Sequence, residues 1–244
     1  MDWLIPREPV NAWTHGAWAL VALPVTLLLW RMCRGDRLKQ VSLLVFGASL
    51  FLCFGGSTLY HGVRLPAEGI EICRQLDHIG IYLLIGGTVT PVAAVLLAGW
   101  WRVVTLSVAW GMAALGITIQ LAWPVAPPWV YTSIYVSMGW GACLSYFEIA
   151  RVLPRGGMRP VWLGGILYTI GAWMNMAGWP RLIPGVFSSH ELWHIICIAG
   201  SFCHIWFMAR WVAPYKRPRT DPVVAFQTPL PALRLGVSAP NATL

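Results

Sequence analysis

Long apolar runs separated by short polar segments dominate the hydrophobic pattern of this chain. Each run is close to the roughly 20 residues that an α-helix needs to cross the hydrocarbon core of a bilayer. The seven runs cover residues 13–30, 41–61, 79–99, 103–123, 129–147, 161–177 and 191–213. A proline-rich corner with Pro124, Pro127 and Pro128 separates the fourth run from the fifth. The pattern therefore predicts seven membrane-spanning helices.

The composition favours a membrane protein over a soluble one. Hydrophobic residues occupy 57% of the 244 positions and charged residues only 11%, whereas about a quarter of the residues in soluble domains are charged. The 16 tryptophans fit this interpretation, because indole side chains favour the membrane–water interface. The six cysteines form no C-x-x-C pair and are interpreted as small apolar residues. We therefore expect an all-α integral membrane protein.

The two ends of the chain differ from the region between them. Residues 1–12 carry charges of both signs and lack the pattern of a cleavable signal peptide, so they are expected to form a short N-terminal segment. Residues 214–244 are rich in proline, charged and small residues, and they are predicted to form a disordered tail. The transmembrane domain is accordingly predicted to span residues 13–213.

The basic residues are better explained by membrane orientation than by nucleic-acid binding. The net charge is +8, but the arginines and lysines lie between the apolar runs and in the tail. If every run crosses the membrane once, most of the 17 basic residues lie at the face opposite the N-terminus, and the N-terminal face carries only Arg7, Arg64, Arg74 and Arg181. The positive-inside rule then places the C-terminus in the cytoplasm. We expect a multi-pass protein of the plasma (inner) membrane without a nucleic-acid partner.

The last apolar run begins with the motif His190-Glu191-Leu192-Trp193-His194. Two histidines four residues apart stand one turn apart on the same face of a helix, so both imidazoles can reach one metal ion. With His61 they form a set of three histidines, which is a ligand pattern of catalytic zinc with a fourth position open to water. The predicted cofactor is therefore zinc.

The order of the crossings predicts that these residues meet. Each crossing reverses the direction of the chain, so the second run ends, and the third and seventh runs begin, at the face that holds the N-terminus. His61, Asp77 and His190 are therefore expected at one membrane face, with His194 one turn deeper.

Two further side chains are candidates for catalysis. Asp77 is expected near the three histidines, where it could orient or deprotonate a water molecule. Ser57 lies four residues before His61 and therefore on the same helical face, where its hydroxyl could bond an aspartate, a ligand or a substrate carbonyl. Ionisable residues at membrane depth are costly, which makes them functional candidates by default.

Other polar residues are interpreted as structural. His15 and His204 have no spaced partner, and His78 lies next to Asp77, which is the better candidate. All three histidines are expected to form hydrogen bonds between helices. Asn175 and Gln120 are expected to do the same.

Glu191 has two interpretations. It is either the general base of a metallopeptidase of the H-E-x-x-H type or a carboxylate at a helix N-terminus, where negative charge is favourable.

The chain resembles the hemolysin III branch of the progestin and adipoQ receptor family over residues 13–212. The matching stretches are Ser57-Thr58-Leu59-Tyr60-His61, residues 77–91, Met138-Gly139-Trp140, Tyr168-Thr169-Ile170-Gly171, and His190 with His194. This resemblance implies seven transmembrane helices around an intramembrane zinc ion.

The resemblance also assigns roles to individual residues. The zinc ligands would be His61, His190 and His194, Asp77 would hold the water at the zinc, and Ser57 would support the site. Because related families include ceramide-cleaving enzymes, the implied activity is hydrolysis of an amide bond in a membrane lipid, with a role in membrane-lipid homeostasis. The family's usual orientation, with the N-terminus in the cytoplasm, is opposite to the one that the charges predict.

Several functions remain open at the level of the sequence. The leading hypothesis is a zinc-dependent lipid amide hydrolase. The alternatives are a receptor or a membrane-perturbing, haemolysin-like protein with structural zinc, an intramembrane metallopeptidase, and a protein that binds haem through two histidines.

Overall fold

The computed structural model describes residues 5–183 and 186–217, and their secondary structure is helical apart from one isolated bridge between Ile183 and Phe187. The α-helices, in chain order, are α1 (Pro9–Met32), α2 (Arg37–Gly62), α3 (Ala67–Leu96), α4 (Gly99–Ala122), α5 (Pro128–Gly141), α6 (Tyr146–Val152), α7 (Arg159–Ala177) and α8 (Ser189–Phe207). A 3₁₀ segment, Ala142–Ser145, joins α5 to α6, and a π-helical segment, Met208–Val212, extends α8. The predicted tail falls mostly on residues 218–244, which lie outside the described residues.

The predicted set of seven helical segments is confirmed, with α5 and α6 together forming the fifth. Within the described residues, five helical segments are long and apolar enough to cross a membrane. They are Pro9–Met32, Arg37–Gly62, Ala67–Leu96, Gly99–Ala122 and Ser189–Val212. Two of these helices start at residues that favour helix initiation. Pro9 occupies the first turn of α1, and the side chain of Asp36 accepts a hydrogen bond from Lys39 N at the start of α2.

The third helix begins earlier than the apolar pattern predicts. The third apolar run starts at residue 79, whereas α3 begins at Ala67. Residues 67–78 include several strong helix formers with polar side chains, so they extend the helix without extending its apolar length. Asp77 therefore lies well inside α3 rather than at its beginning.

The fifth predicted helix is interrupted. The α-helical pattern stops after Gly141, continues as a 3₁₀ segment to Ser145, and resumes as α6. Gly139 and Gly141 weaken the helix at this point. The hydroxyl of Ser145 forms a hydrogen bond with the side chain of Thr105 in α4. An apolar run alone does not reveal such a break.

Helices α2 and α3 pack closely because glycines lie at their crossing. A Cβ atom placed on Gly80 would lie only 2.7 Å from the Cα atom of Cys53, and one on Gly87 would overlap the side chain of Ser49. Gly80 lies one turn from Asp77, and Cys53 lies one turn from Ser57. This contact between two backbones therefore sets the distance between the polar side chains next to it.

The contacts at the two ends of the bundle agree with the predicted order of crossings. At one end, Glu8 N donates to His61 O (2.9 Å), which joins the start of α1 to the end of α2. At the other end, Lys39 Nζ donates to Ala213 O (2.8 Å), and Arg217 Nη2 contacts both carboxylate oxygens of Asp36 at 2.8 Å. The last described residues therefore lie at the end of the bundle opposite Glu8.

This arrangement makes the orientation in the membrane testable with one fusion site. A reporter fused after Leu244 is expected to be active only in its cytoplasmic form, because most basic residues share the face of Arg217. Paired fusions, one with a reporter active only inside the cell and one with a reporter active only outside, measure this directly. Activity of the outside reporter would show that the charge distribution does not set the orientation.

Candidate metal centre

Three histidines from two helices converge near the end of the bundle that holds the N-terminus. One nitrogen each from His61, His190 and His194 lies within 4.8 Å of the others, so the group could hold a metal ion. His61 comes from the last turn of α2, and the other two come from the first turns of α8. His61 and His194 are only 1% and 2% exposed. The convergence predicted from the helix order is therefore present in the fold.

Two of the imidazoles are oriented by acceptors that belong to other helical segments. His61 Nδ1 lies 2.6 Å from Glu8 Oε2, and His190 Nδ1 lies 3.0 Å from Asn175 Oδ1. Oxygen atoms of this kind accept hydrogen bonds, so each Nδ1 carries the proton and each Nε2 keeps its lone pair. The side chain of Asn175 thereby joins α7 to α8, as the sequence predicted.

The third imidazole packs against His15, which was not predicted to lie at the site. The rings of His15 and His194 are 3.9 Å apart between centroids, and His15 Nε2 donates to the backbone carbonyl of His194 (3.2 Å). His15 therefore forms a hydrogen bond between helices, as predicted, but it does so beside the cluster of three histidines. The sequence feature that could have indicated this contact is the position of His15 near the start of α1, at the same end of the bundle as His61.

Both predicted catalytic residues lie at the cluster. Asp77 Oδ2 is 3.8 Å from His61 Nε2, and the Asp77 side chain is 15% exposed. The hydroxyl of Ser57 interacts with the same carboxylate across the α2–α3 contact. The carboxylate thus lies on the side of His61 that faces away from Glu8.

Glu191 lies at a helix start, in agreement with the second of its two interpretations. Its Oε2 accepts hydrogen bonds from Ser188 N (2.7 Å) and Ser188 Oγ (2.6 Å), which forms a capping box at the start of α8. Its Oε1 accepts from Asn11 Nδ2 (3.2 Å). Both oxygens therefore have donors of their own at the end of the helix.

Glu8 and Asn11 were missed by the sequence analysis. Asn11 Nδ2 also donates to Glu8 Oε2 (3.0 Å), so one amide group joins Glu8 to Glu191. The hydrogen bond with His61 and the contacts with Asn11 and Arg7 lower the pKa of Glu8 well below its usual range, against the opposing effect of burial. The side chain is therefore a carboxylate at neutral pH.

The remaining histidines lie outside the cluster. His78 Nδ1 is 3.3 Å from Gln120 Oε1, which joins α3 to α4 as predicted. His204 stacks on Tyr168 of α7, with ring centroids 5.8 Å apart.

A large cavity opens onto the cluster. Its volume is about 730 Å³, and its wall includes Ser57, Asp77, His190 and His194 at one end. The wall continues between α3, α5, α7 and α8 to Met158 and His204 in the opposite half of the bundle. Most of the intervening side chains are apolar or aromatic, so the cavity is suited to a long apolar group whose polar end lies at the histidines.

The donor set fits a zinc ion. Nitrogen-rich sites of three histidines with an open fourth position are typical of catalytic zinc. Among the described residues, His61 Nε2 and His194 Nδ1 are buried atoms without a hydrogen-bond partner. Buried polar atoms rarely lack a partner, so their presence in this cluster indicates a position for a ligand.

Comparison with known proteins shows similarity over most of the chain. A family model described as "Haemolysin-III related" matches residues 3–205. "Hemolysin-3" of Bacillus cereus is 30% identical over 214 residues, which cover 85% of this chain and 94% of that protein. "Hemolysin-3 homolog" of Bacillus subtilis (strain 168) is 30% identical over 212 residues, with 84% and 96% covered. "Adiponectin receptor protein" of Drosophila melanogaster is 27% identical over 227 residues, which cover 82% of this chain and 49% of that protein.

Proposed function

The chain belongs to the haemolysin-III-related family of multi-pass membrane proteins, and from this premise we propose that it is a zinc-dependent hydrolase that cleaves an amide bond in a membrane lipid. The observation that carries the proposal is the position of Asp77 beside three converging histidines at the end of a long apolar cavity. A purely structural metal site requires neither the carboxylate nor the cavity.

The metal would be held by His61, His190 and His194. When bound, zinc supplies Lewis acidity, which polarises a carbonyl group and makes water a stronger nucleophile near neutral pH. Glu8 and Asn175 hold two of the three imidazoles in the tautomer that leaves Nε2 free to bind a metal.

Asp77 is the general base in this proposal. Its carboxylate takes a proton from the attacking water while the water oxygen bonds to the carbonyl carbon of the amide. The C–N bond then breaks, and the proton passes from Asp77 to the departing amine nitrogen. Ser57, on the face of α2 that packs against α3, would help to orient the carboxylate. The products are a fatty acid and an amine.

The cavity supports a lipid as the substrate. Its volume of about 730 Å³ falls within the ~300–1,000 Å³ typical of small-molecule sites, and it extends away from the histidines between apolar helices. An acyl chain in this space would place its amide carbonyl next to Asp77 and the cluster. A soluble polar substrate would leave most of the apolar wall without a partner.

Glu191 argues against a metallopeptidase. In that class the glutamate between the two histidines takes the proton of the water. Here Oε2 of Glu191 accepts hydrogen bonds from Ser188, and Oε1 accepts one from Asn11, at the start of the helix. The other alternative is a receptor or a haemolysin-like protein with structural zinc. An assay of hydrolysis distinguishes it from the proposed enzyme.

We expect the purified, zinc-loaded protein to release fatty acid from a long-chain N-acyl lipid in mixed micelles, because the cavity accepts the acyl chain. The N-acetyl analogue of the same lipid is the matched control and should be cleaved far more slowly. A chelator should stop the release, and added zinc should restore it. Mass spectrometry of the fatty acid product measures all three results, and no release from any N-acyl lipid at full zinc content would contradict the proposal.

A further inference from the structure

We propose that Glu8 is a positioning residue of the metal centre and that the segment just before α1 is a structural part of that centre. The inference rests on the proposed function only in taking zinc as the ion. Glu8 approaches His61 from outside the bundle, on the side of the ring opposite Asp77. It therefore acts on the metal only through the imidazole.

The geometry at His61 gives this contact a specific effect. Glu8 Oε2 lies 2.6 Å from Nδ1, while Nε2 is buried without a hydrogen-bond partner among the described residues. The two nitrogens of an imidazole point in divergent directions, so a carboxylate fixed at one directs the other toward the cluster. A hydrogen bond from a metal-binding histidine to a carboxylate fixes the tautomer and the ring orientation, and it makes the nitrogen at the metal a better donor.

Contacts with the end of α2 hold the segment in place. Glu8 N donates to His61 O (2.9 Å), and Arg7 N donates to Gly62 O (3.2 Å). The guanidinium of Arg7 donates to Tyr60 O (2.7 Å) and lies 4.7 Å from the centre of the Tyr60 ring. The position of Glu8 is thus fixed by the same turn of α2 that carries His61.

Asn11 extends this arrangement to the second ligand helix. Its buried amide donates to Glu8 Oε2 (3.0 Å) and to Glu191 Oε1 (3.2 Å), at the start of α8. The start of α1 therefore connects the ends of both helices that supply histidines. Binding of a metal between α2 and α8 and docking of residues 5–8 are expected to favour each other, because both need the same arrangement of these ends.

The test measures zinc affinity in the full-length protein by competition with a chromophoric chelator. Glu8→Ala is expected to weaken zinc binding by about 10–100-fold, the usual cost of losing such a partner. Glu8→Gln keeps an acceptor oxygen without the charge, so its affinity should fall between those of Glu8→Ala and the wild type. The Glu8 side chain makes no capping hydrogen bond at the start of α1, so its removal should leave the helix intact.

Glu71→Ala is the matched control. Glu71 is a carboxylate in the first turns of α3, at the same end of the bundle, and it pairs with Arg74 (2.6 Å) rather than with a histidine. Its loss removes the same charge from this face and should leave the zinc affinity near that of the wild type. Equal weakening in Glu71→Ala and Glu8→Ala would reduce the effect to surface charge and overturn the inference.

Hydrogen–deuterium exchange gives a second measurement. Zinc should slow exchange in the peptide that contains residues 5–8 of the wild-type protein, and it should do so much less in Glu8→Ala and Glu8→Gln. Unchanged zinc affinity in both Glu8 variants, or exchange that does not respond to zinc in the wild type, would overturn the inference. A wild type that binds zinc but hydrolyses no lipid would instead contradict only the proposed function.

Discussion

The variants His61→Ala and His194→Ala are expected to contain almost no zinc after purification, whereas the wild-type protein should carry about one zinc ion per chain. Each substitution removes one of three nitrogens that lie within 4.8 Å of one another, and two remaining imidazoles do not complete a stable site. Elemental analysis of the purified proteins measures the zinc content. Full zinc content in both variants would show that the cluster is not the binding site.

Loss of the metal should also lower the melting temperature. The ion would join the end of α2 to the start of α8, and binding to the folded state alone stabilises it. His78→Ala is the matched control, because it removes a histidine from the same end of the bundle that pairs with Gln120 instead of the cluster. This variant should keep its zinc. A wild-type melting temperature that is the same with and without a chelator would contradict the stabilising role.

Asp77→Asn is expected to keep the zinc and to lower amide hydrolysis by about 10²–10⁴-fold, the usual contribution of general acid–base catalysis. Asparagine leaves the three imidazoles in place and is nearly the same size, but it cannot take a proton from water. The measurement is the rate of fatty acid release at equal zinc content. The loss should appear in the turnover rate, because the cavity that we propose for the acyl chain is unchanged.

Glu191→Gln provides the comparison that separates the two enzyme classes. Its carboxylate caps α8 through Ser188, so the variant should lose some stability and little activity. A metallopeptidase would show the reverse order, with Glu191→Gln inactive and Asp77→Asn only weakened. If neither variant differs from the wild type on lipid or peptide substrates, the zinc has a structural role.

The elements that the sequence predicted well are those with a long repeating signal. Seven apolar runs gave the helical segments, and their order along the chain placed His61 and His190 at one end of the bundle, where the fold has them. The position of Asp77 at the same end was predicted by the same counting of crossings. These predictions depend on chain direction and helix length, and both can be inferred from a single sequence.

The features that were missed depend on contacts between distant segments. Glu8 looks like an ordinary charged residue before a helix, and only the approach of α1 to the end of α2 brings it to His61. His15 lacks a partner at helical spacing, because its partner is 179 positions away along the chain. The break at 142–145 is a local change within a run that stays apolar throughout.

The close approach of Gly80 to the backbone of Cys53 bears on how relatives of this protein should be compared. A relative that carries alanine at this position would keep every histidine, Asp77 and Ser57, yet its α2 and α3 would have to move apart at the turn that holds the carboxylate. Such a chain would keep all of these polar side chains and lack the spacing between them. A comparison of relatives should therefore include the glycine at this crossing as well as the histidines, Asp77 and Ser57.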